Sequence, residues 1–377
     1  MNVRVASAGV GRFGKRTEGL VDLAAEAAAL ALEGIGRKTV DLLVVGTMLG
    51  HGPRGPFAVL PRLAARVGLE SATGFRVEAA SATGAMAFHA AVHAIETGRA
   101  SRALVVAAEK MTDQPTPTLT AELAAALHES EAAIGATMPG LGSLVAQRYL
   151  LRHRLEPEAL ASVTVHDREM ASRNPNAQFR TPVTVEEVGA SRPVALPLRL
   201  LHCAPISDGA AAVIVERGRG AATVLGLGQG FDTLRLVDRS SLTTFVATRR
   251  AAKAAYEEGH LTRKNVDVVE LHDAFAPLAF LHLEDLGFCG PGEAPRWFEE
   301  DWVRADGRLP VNPGGGLLAR GHPVGASGLA GIAEIAMQLR GEAGSRAVAT
   351  RPKVGLAHSM AGLGVHNFVT ILGEPGA

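Results

Sequence analysis

The chain has 377 residues, equal numbers of basic and acidic side chains (38 of each), and is 47% hydrophobic but only 4% aromatic. That length suits two ordinary domains or one large duplicated one, and the charge balance offers neither a basic surface for nucleic acid nor an acidic disordered tail. Two cysteines make no disulfide framework and suit a reducing compartment, and no run reaches the ~18 uncharged apolar residues of a membrane span, so a cytoplasmic protein without membrane contact is expected.

The opening "MNVRVASAGVG" reads as a strand rather than a signal peptide. "GVGRFG" (9–14) fits the glycine pattern of a dinucleotide loop. However, the next helix begins only near Leu20, and the first well-placed acid, Asp41, starts a strand where a dinucleotide site needs it to end one. A glycine-lined loop is the better reading. An Ala-rich helix then leads into "VDLLVVG", a continuous apolar run of the kind expected for a parallel strand covered on both faces.

"VEAASATG" (77–84) places Ser81 between a strand-like lead-in and a helix, where an enzyme would put a nucleophile. On the following helix, His89 and His93 have the i, i+4 spacing of zinc ligands, but Ala90 stands where a metalloprotease needs Glu and no third ligand is evident. We therefore expect no metal. After the apolar strand "ALVVAAE", residues 113–199 carry proline-rich breakers around helical stretches such as "SLVAQRYLLRHRL". They read as an insertion lidding one face. "DGAAAVIVE" (208–216) then returns to the first sheet as a strand.

The second half repeats the first. "RKTVDLLVV" (37–45) matches "RKNVDVVEL" (263–271), 226 positions on; "ATGAMAF" (82–88) matches "ASGLAGI" (326–332), 244 positions on. The 18 extra residues are expected around "CGPGEAPRWFEEDW" (289–302). The reading is an α/β fold of two duplicated βαβαβ-type halves, 1–217 with the insertion at about 113–199, and 218–377, stacked about a shared helix layer with equivalent loops meeting near the axis.

In that second half, "VVELHDAFAP" puts His272 and Asp273 at a strand end, where parallel α/β folds place chemistry; a buried His–Asp pair is the plain alternative. "NPGGGLLARGHPVGASG" (312–328) holds His322 before a proline, which restricts its backbone, in a glycine-dense loop opening a helix at about Gly328. The repeat makes this loop the partner of the Ser81 loop. "GLAHSMAGLG" (355–364) is expected to end a strand in His358, followed by a glycine turn.

Together these stretches resemble the thiolase superfamily, closest to its sterol-carrier-protein-type and bacterial acetyl-CoA acetyltransferase branches. The resemblance covers nearly the whole chain, with "ISDGAAAVIV", "ELHDAF" and "GGGLLARGHPVGASG" its strongest parts. It implies a five-layer α-β-α-β-α thiolase-like fold and a coenzyme A thioester as substrate, with no cofactor. It implies catalytic roles for Ser81, His322, His272 and His358, an oxyanion site from the backbone at Ser81 and Gly362, and substrate contacts at Gly321 and Met360. It further implies a homodimer, or a dimer of dimers, joined at a sheet edge near "ALVVAAE", and a small zinc-ribbon/OB-fold partner as in some sterol side-chain relatives.

The departures matter as much. Ser81 stands where the family has its nucleophilic cysteine, His358 where most members carry a second one, and Ala274 where the H-D-C-F variant carries it; Cys203 and Cys289 align with neither. A serine hydroxyl needs a base during attack, which a thiolate does not. Three readings remain: an engineered replacement of cysteine, a reaction that needs no acyl-enzyme such as aldol cleavage of a β-hydroxyacyl-CoA, or acylation of Ser81 itself with His322 as base. Two rivals stand beside them. A serine hydrolase would use Ser81, Asp273 and His322 in that order, but "AASAT" lacks the G-x-S-x-G elbow; a non-catalytic acyl-CoA-binding or scaffold subunit would have little reason to gather three histidines.

Overall fold

The computed structural model describes residues 1–33, 35, 40–49 and 57–375. Residues 37–39 of the first repeat block lie outside these. The first half runs β1 (Val3–Val10), α1 (Leu20–Leu32), β2 (Leu42–Gly46), α2 (Val59–Val67), β3 (Thr73–Val77), α3 (Thr83–Glu96) and β4 (Arg102–Glu109). The inserted segment follows: α4 (Thr116–Ala124), α5 (Glu129–Ala133), α6 (Met138–His153), α7 (Ala161–Ser172), α8 (Val185–Ala190) and a ribbon of β5 (Pro193–Ala195) and β6 (Leu198–Arg199). β7 (Gly209–Arg217) rejoins the sheet. The second half is β8 (Thr223–Phe231), α9 (Val246–Gly259), β9 (Val268–Glu270), α10 (Ala276–Asp285), α11 (Ala294–Glu299), α12 (Gly316–Arg320), α13 (Val324–Arg340), β10 (Val354–Ala361) and β11 (His366–Gly373).

The strand order is β3-β2-β4-β7-β1-β8-β11-β10-β9. The two halves thus share one hydrogen-bonded order, linked where Arg4 of β1 pairs with Thr223 of β8. Among the strands described, parallel pairing joins β2–β3, β2–β4 and β9–β10, where helices cross over; β1, β7, β8 and β11 run antiparallel to their neighbours. The second-half counterpart of β3 shrinks to a single bridge between Val269 and Val311, and α11 sits in the 289–302 stretch where the extra length was expected.

Three buried clusters reproduce the layering. One joins α1 and α2 to the outer faces of β2, β4 and β7. A second fills the space between the two halves of the sheet with α3 and α13. The third joins the other face of the second half to α9, α10, α11 and the inserted helices. This is the five-layer arrangement that the duplication implies, and glycines permit its closest approaches. A Cβ on Gly84 would lie 2.6 Å from the Leu329 nitrogen, and one on Gly328 would lie 3.1 Å from the Ala85 nitrogen. Gly84 and Gly328 are 244 positions apart, so the crossing of α3 and α13 is itself two-fold related.

Three expectations need correction. "ALVVAAE" is β4, an interior strand paired on both sides; the free edge of the first half is β3, exposed at Thr73–Arg76. The helix after the His322 loop starts at Val324, four residues before Gly328, because the backbone nitrogens of Ala326 and Ser327 already bond to Pro323. His358 lies inside β10, which continues to Ala361 and pairs antiparallel with β11. On α3, His89 is buried with Nε2 3.0 Å from Thr370 Oγ1, whereas His93 is exposed beside Glu96, so the pair lies on a half-buried helix face. Among the described residues no helix is long and apolar enough to cross a membrane, and no group of His, Cys, Asp and Glu is arranged to hold a metal ion.

Candidate active site

One buried carboxylate ties the loop after β2 to the start of α13, beside His322. Glu109, at the end of β4, accepts hydrogen bonds from Thr47 Oγ1 and from the backbone nitrogens of Met48, Leu49 and Gly325. The first three belong to the loop after β2 and the last to the start of α13, so the two halves are tied at the level of their site loops. Burial pushes Glu109 up to about 7, against these bonds, which favour its charged form.

Ser81 follows Ala80, whose φ of +45° is costly for a residue with a Cβ. The turn is held by Thr83, whose Oγ1 accepts from the Ala79 nitrogen and donates to the Ala80 carbonyl, and by Glu78, which accepts from the Ala80 nitrogen at 2.5 Å. The result presents Ser81 two residues before the first turn of α3. On the other side, His322 pairs with Ile206 in a short parallel bridge, and its nitrogen donates to Ser207 Oγ at 2.9 Å. Gly321 backs this contact: a Cβ there would meet Ser207 Oγ at 2.7 Å.

Ser81, His272, His322, Met360 and Gly362 line a common cavity of about 620 Å³. Its outer wall comes from the inserted segment, including Leu119, Thr137, Phe179 and the two cations Arg168 and Arg192. Gly321 lies behind this lining rather than in it. His358 is also set back, in a file of four buried histidines. The His272 and His322 rings meet edge-on at 5.1 Å, His358 lies near enough to lower His272 electrostatically, and His282 sits 4.1 Å from His358. Burial lowers them all: His322 to about 3, His358 to about 4, and His272 and His282 well below the usual histidine value. They are neutral imidazoles at neutral pH.

His322 Nδ1 lies 2.8 Å from Ser327 Oγ, which in turn donates to the Pro323 carbonyl at 3.0 Å. With its own hydrogen committed there, Ser327 accepts from His322, so the proton of the neutral ring is on Nδ1 and Nε2 keeps its lone pair. Asp273 is not the partner of this ring. Its carboxylate accepts from the Leu317 nitrogen and from Asn312 Nδ2, in a buried network with Asp167, whose carboxyl is pushed up by burial and by the neighbouring Asp273. The Ser–Asp–His triad is therefore not assembled.

Cys203 is the residue that the sequence reading passed over. It lines the cavity, placed by a bridge to Phe275, with its Sγ 3.5 Å from the Arg199 carbonyl. Burial pushes this thiol up to about 12, so it stays protonated. No motif marks it, because its place follows from the path of the insertion. Cys289 does not line the cavity.

Comparison with known proteins agrees with the fold. Residues 3–196 match the thiolase N-terminal domain and residues 228–374 the thiolase C-terminal domain-like family. The chain is 41% identical to an acetyl-CoA acetyltransferase of Methanothermobacter thermautotrophicus, over 92% of this chain and 94% of that one. It is 33% identical to the benzoylsuccinyl-CoA thiolase subunit BbsB of Thauera aromatica (96% and 94%), and 32% identical to sterol carrier protein 2 of Gallus gallus (100% and 73%). Among solved structures it is similar to a chain of the Ltp2-ChsH2(DUF35) aldolase, with a TM-score of 0.85, 26% identity, and 100% and 98% of the two chains covered.

Proposed function

The chain belongs to the thiolase family and with it to the acyltransferase-type enzymes, and from that premise we propose that it makes or breaks a C–C bond beside a coenzyme A thioester by aldol chemistry, without an acyl-enzyme. The observation that carries this reading is the chemistry of the cavity: its walls hold neutral histidines and hydroxyls, and the one thiol among the described lining residues, Cys203, is held in its protonated form. A thiolase acyl-enzyme needs a thiolate or an activated hydroxyl. Ser81 has no carboxylate behind His322 to support it, since Asp273 is engaged elsewhere.

Aldol cleavage asks only for proton transfers and a site for enolate charge. In this reading the lone pair of His322 Nε2 takes the β-hydroxyl proton of a β-hydroxyacyl-CoA. The O–H electron pair forms the new carbonyl as the Cα–Cβ bond breaks, and the bond pair passes into the thioester as an enolate. His272 donates a hydrogen bond to the enolate oxygen, aided by backbone at Ser81 and Gly362. Return of that proton from His322 to Cα releases a shortened acyl-CoA and an aldehyde or ketone, so no oxidant or reductant is consumed. The apolar wall formed by Leu119, Phe179 and Met360 keeps water from the enolate, and the inserted segment, with Arg168 and Arg192 on the cavity, receives the coenzyme A arm. The similarity to an aldolase chain supports the reading. A zinc-ribbon/OB-fold partner and a homodimer joined along the β3 edge belong to the same proposal.

Incubation with acetyl-CoA, acetoacetyl-CoA and a β-hydroxyacyl-CoA separately tests it, with products and the mass of the Ser81 peptide as readouts. Cleavage of the β-hydroxyacyl-CoA with an unmodified Ser81 peptide is expected. Thiolysis of acetoacetyl-CoA through an acetylated Ser81 would replace the aldol reading with a serine thiolase.

A further inference from the structure

Behind the cavity, His358, His282, Asn367 and Thr248 form a buried polar cluster that the aldol steps above do not use. In the β10–β11 ladder Asn367 stands opposite Met360, and Met360 lines the cavity. His358, two residues before Met360, projects to the same face of the strand, so Asn367 reaches it across the diagonal of the ladder. Asn367 Oδ1 lies 2.8 Å from His358 Nε2 and 3.1 Å from Thr248 Oγ1, which lies 3.4 Å from His282 Nδ1.

With the Asn367 amide placed so that Oδ1 faces both His358 and Thr248, the donors and acceptors of this chain allow one direction. An amide oxygen only accepts, so Thr248 gives its single hydrogen to Asn367, and His358 gives the hydrogen on Nε2. Thr248 then accepts from His282 Nδ1. Three nitrogens of the cluster are left over: His358 Nδ1, His282 Nε2 and Asn367 Nδ2 are buried and have no hydrogen-bond partner. Buried polar atoms rarely go unmatched without a reason, and His358 is among the neighbours that depress His272 in the cavity wall.

We propose that Asn367 is a positioning residue that holds the proton of His358 on Nε2, so that Nδ1 remains a lone-pair acceptor behind the cavity. The same oxygen, fixed by Thr248, selects the tautomer of the ring that stands where most members of this family carry their second acid/base cysteine. The use of that lone pair in proton transfer rests on the aldol reading; the tautomer does not. His282, whose ring meets that of His358 at 4.1 Å, and His272, within electrostatic reach of it, are themselves kept neutral by burial, so neither competes with Asn367 for this choice.

The test reads the tautomer directly and needs no substrate, so it stands or falls separately from the aldol proposal. The full chain is prepared with 15N-labelled histidine rings, and the His358 signals are assigned by their loss in His358→Gln. Nuclear magnetic resonance at neutral pH then compares the unsubstituted protein with Asn367→Asp and Asn367→Leu. The expected result is a protonated Nε2 and an unprotonated Nδ1 in the unsubstituted protein. Both nitrogens become protonated in Asn367→Asp, where a carboxylate faces the ring, and Nδ1 gains proton occupancy in Asn367→Leu. If Asn367→Leu does not fold, the near-isosteric Asn367→Asp carries the comparison. A His358 with its proton on Nδ1, or ring signals unchanged by substitution at 367, would overturn the proposal.

Discussion

The same substitution should have opposite effects at two helical glycines. At Gly84 a new Cβ would lie 2.6 Å from the Leu329 nitrogen, 2.9 Å from Leu329 Cβ and 3.0 Å from the Gly325 carbonyl. These are mostly backbone atoms of α13, which cannot step aside without moving the helix. Overpacking of this kind costs about 1–3 kcal/mol, partly offset by the roughly 0.5–1 kcal/mol that alanine gains over glycine in a helix. Gly84→Ala should therefore destabilise by about 0.5–2 kcal/mol. At Gly331, seven residues into α13, the nearest atom to a new Cβ is Glu270 Cβ at 3.5 Å, an ordinary contact. Gly331→Ala keeps the helical gain and should stabilise by about 0.5–1 kcal/mol. Urea unfolding of the two variants, followed by circular dichroism, measures the difference. Because Gly84 lies three residues from Ser81, Gly84→Ala should also lower turnover, while Gly331→Ala leaves it unchanged. Midpoint shifts of the same sign for both variants would refute the assignment of Gly84 to a tight helix crossing.

Ser327→Ala removes the acceptor of His322 Nδ1–H. An unmatched buried donor costs about 1–3 kcal/mol, which the ring relieves by shifting its proton to Nε2. Aldol kcat should fall roughly 5- to 150-fold with little change in KM; a KM effect alone would argue against His322 as the base. Ser81→Cys should become acetylated by acetyl-CoA, detected as a mass increase on the peptide that spans position 81, because a thiol beside a helix start ionises where a hydroxyl does not. An unmodified peptide from that variant would show that the site lacks more than the thiol. Burial holds His322 at about 3 and His358 at about 4, so their ring resonances should stay in the neutral form from pH 8 down to about 5. Folded values depressed in this way stabilise the fold above the ordinary histidine pKa of ~6.5, and that contribution is lost as pH falls toward 3–4, about 2 kcal/mol per ring at pH 5. Glu109, pushed up to about 7, acts in the opposite sense across the same interval, so ring titration is the informative measurement rather than global stability. A midpoint near the ordinary value for either ring would contradict its burial.

Much of the architecture is written locally. The apolar runs at 42–46 and 102–109 read as buried strands and are parallel neighbours, and the match of 82–88 with 326–332 marks two symmetry-related helix starts before any coordinate is known. The Ser81 and His322 loops were recognisable because Gly and Pro restrict or free the backbone within a few residues. Those are short-range effects, and a single sequence displays them.

What the tertiary structure alone decided depends on contacts between distant segments. That β4 is interior and β3 the edge follows from β7 returning across the inserted segment to pair with β4. That Asp273 faces Asn312 rather than His322, that Cys203 enters the cavity, and that Asn367 reaches His358 are all set by side-chain directions fixed only once the layers pack. Periodicity specifies which face of an element is buried; which atom it meets there is decided by the partner element, often more than a hundred residues away.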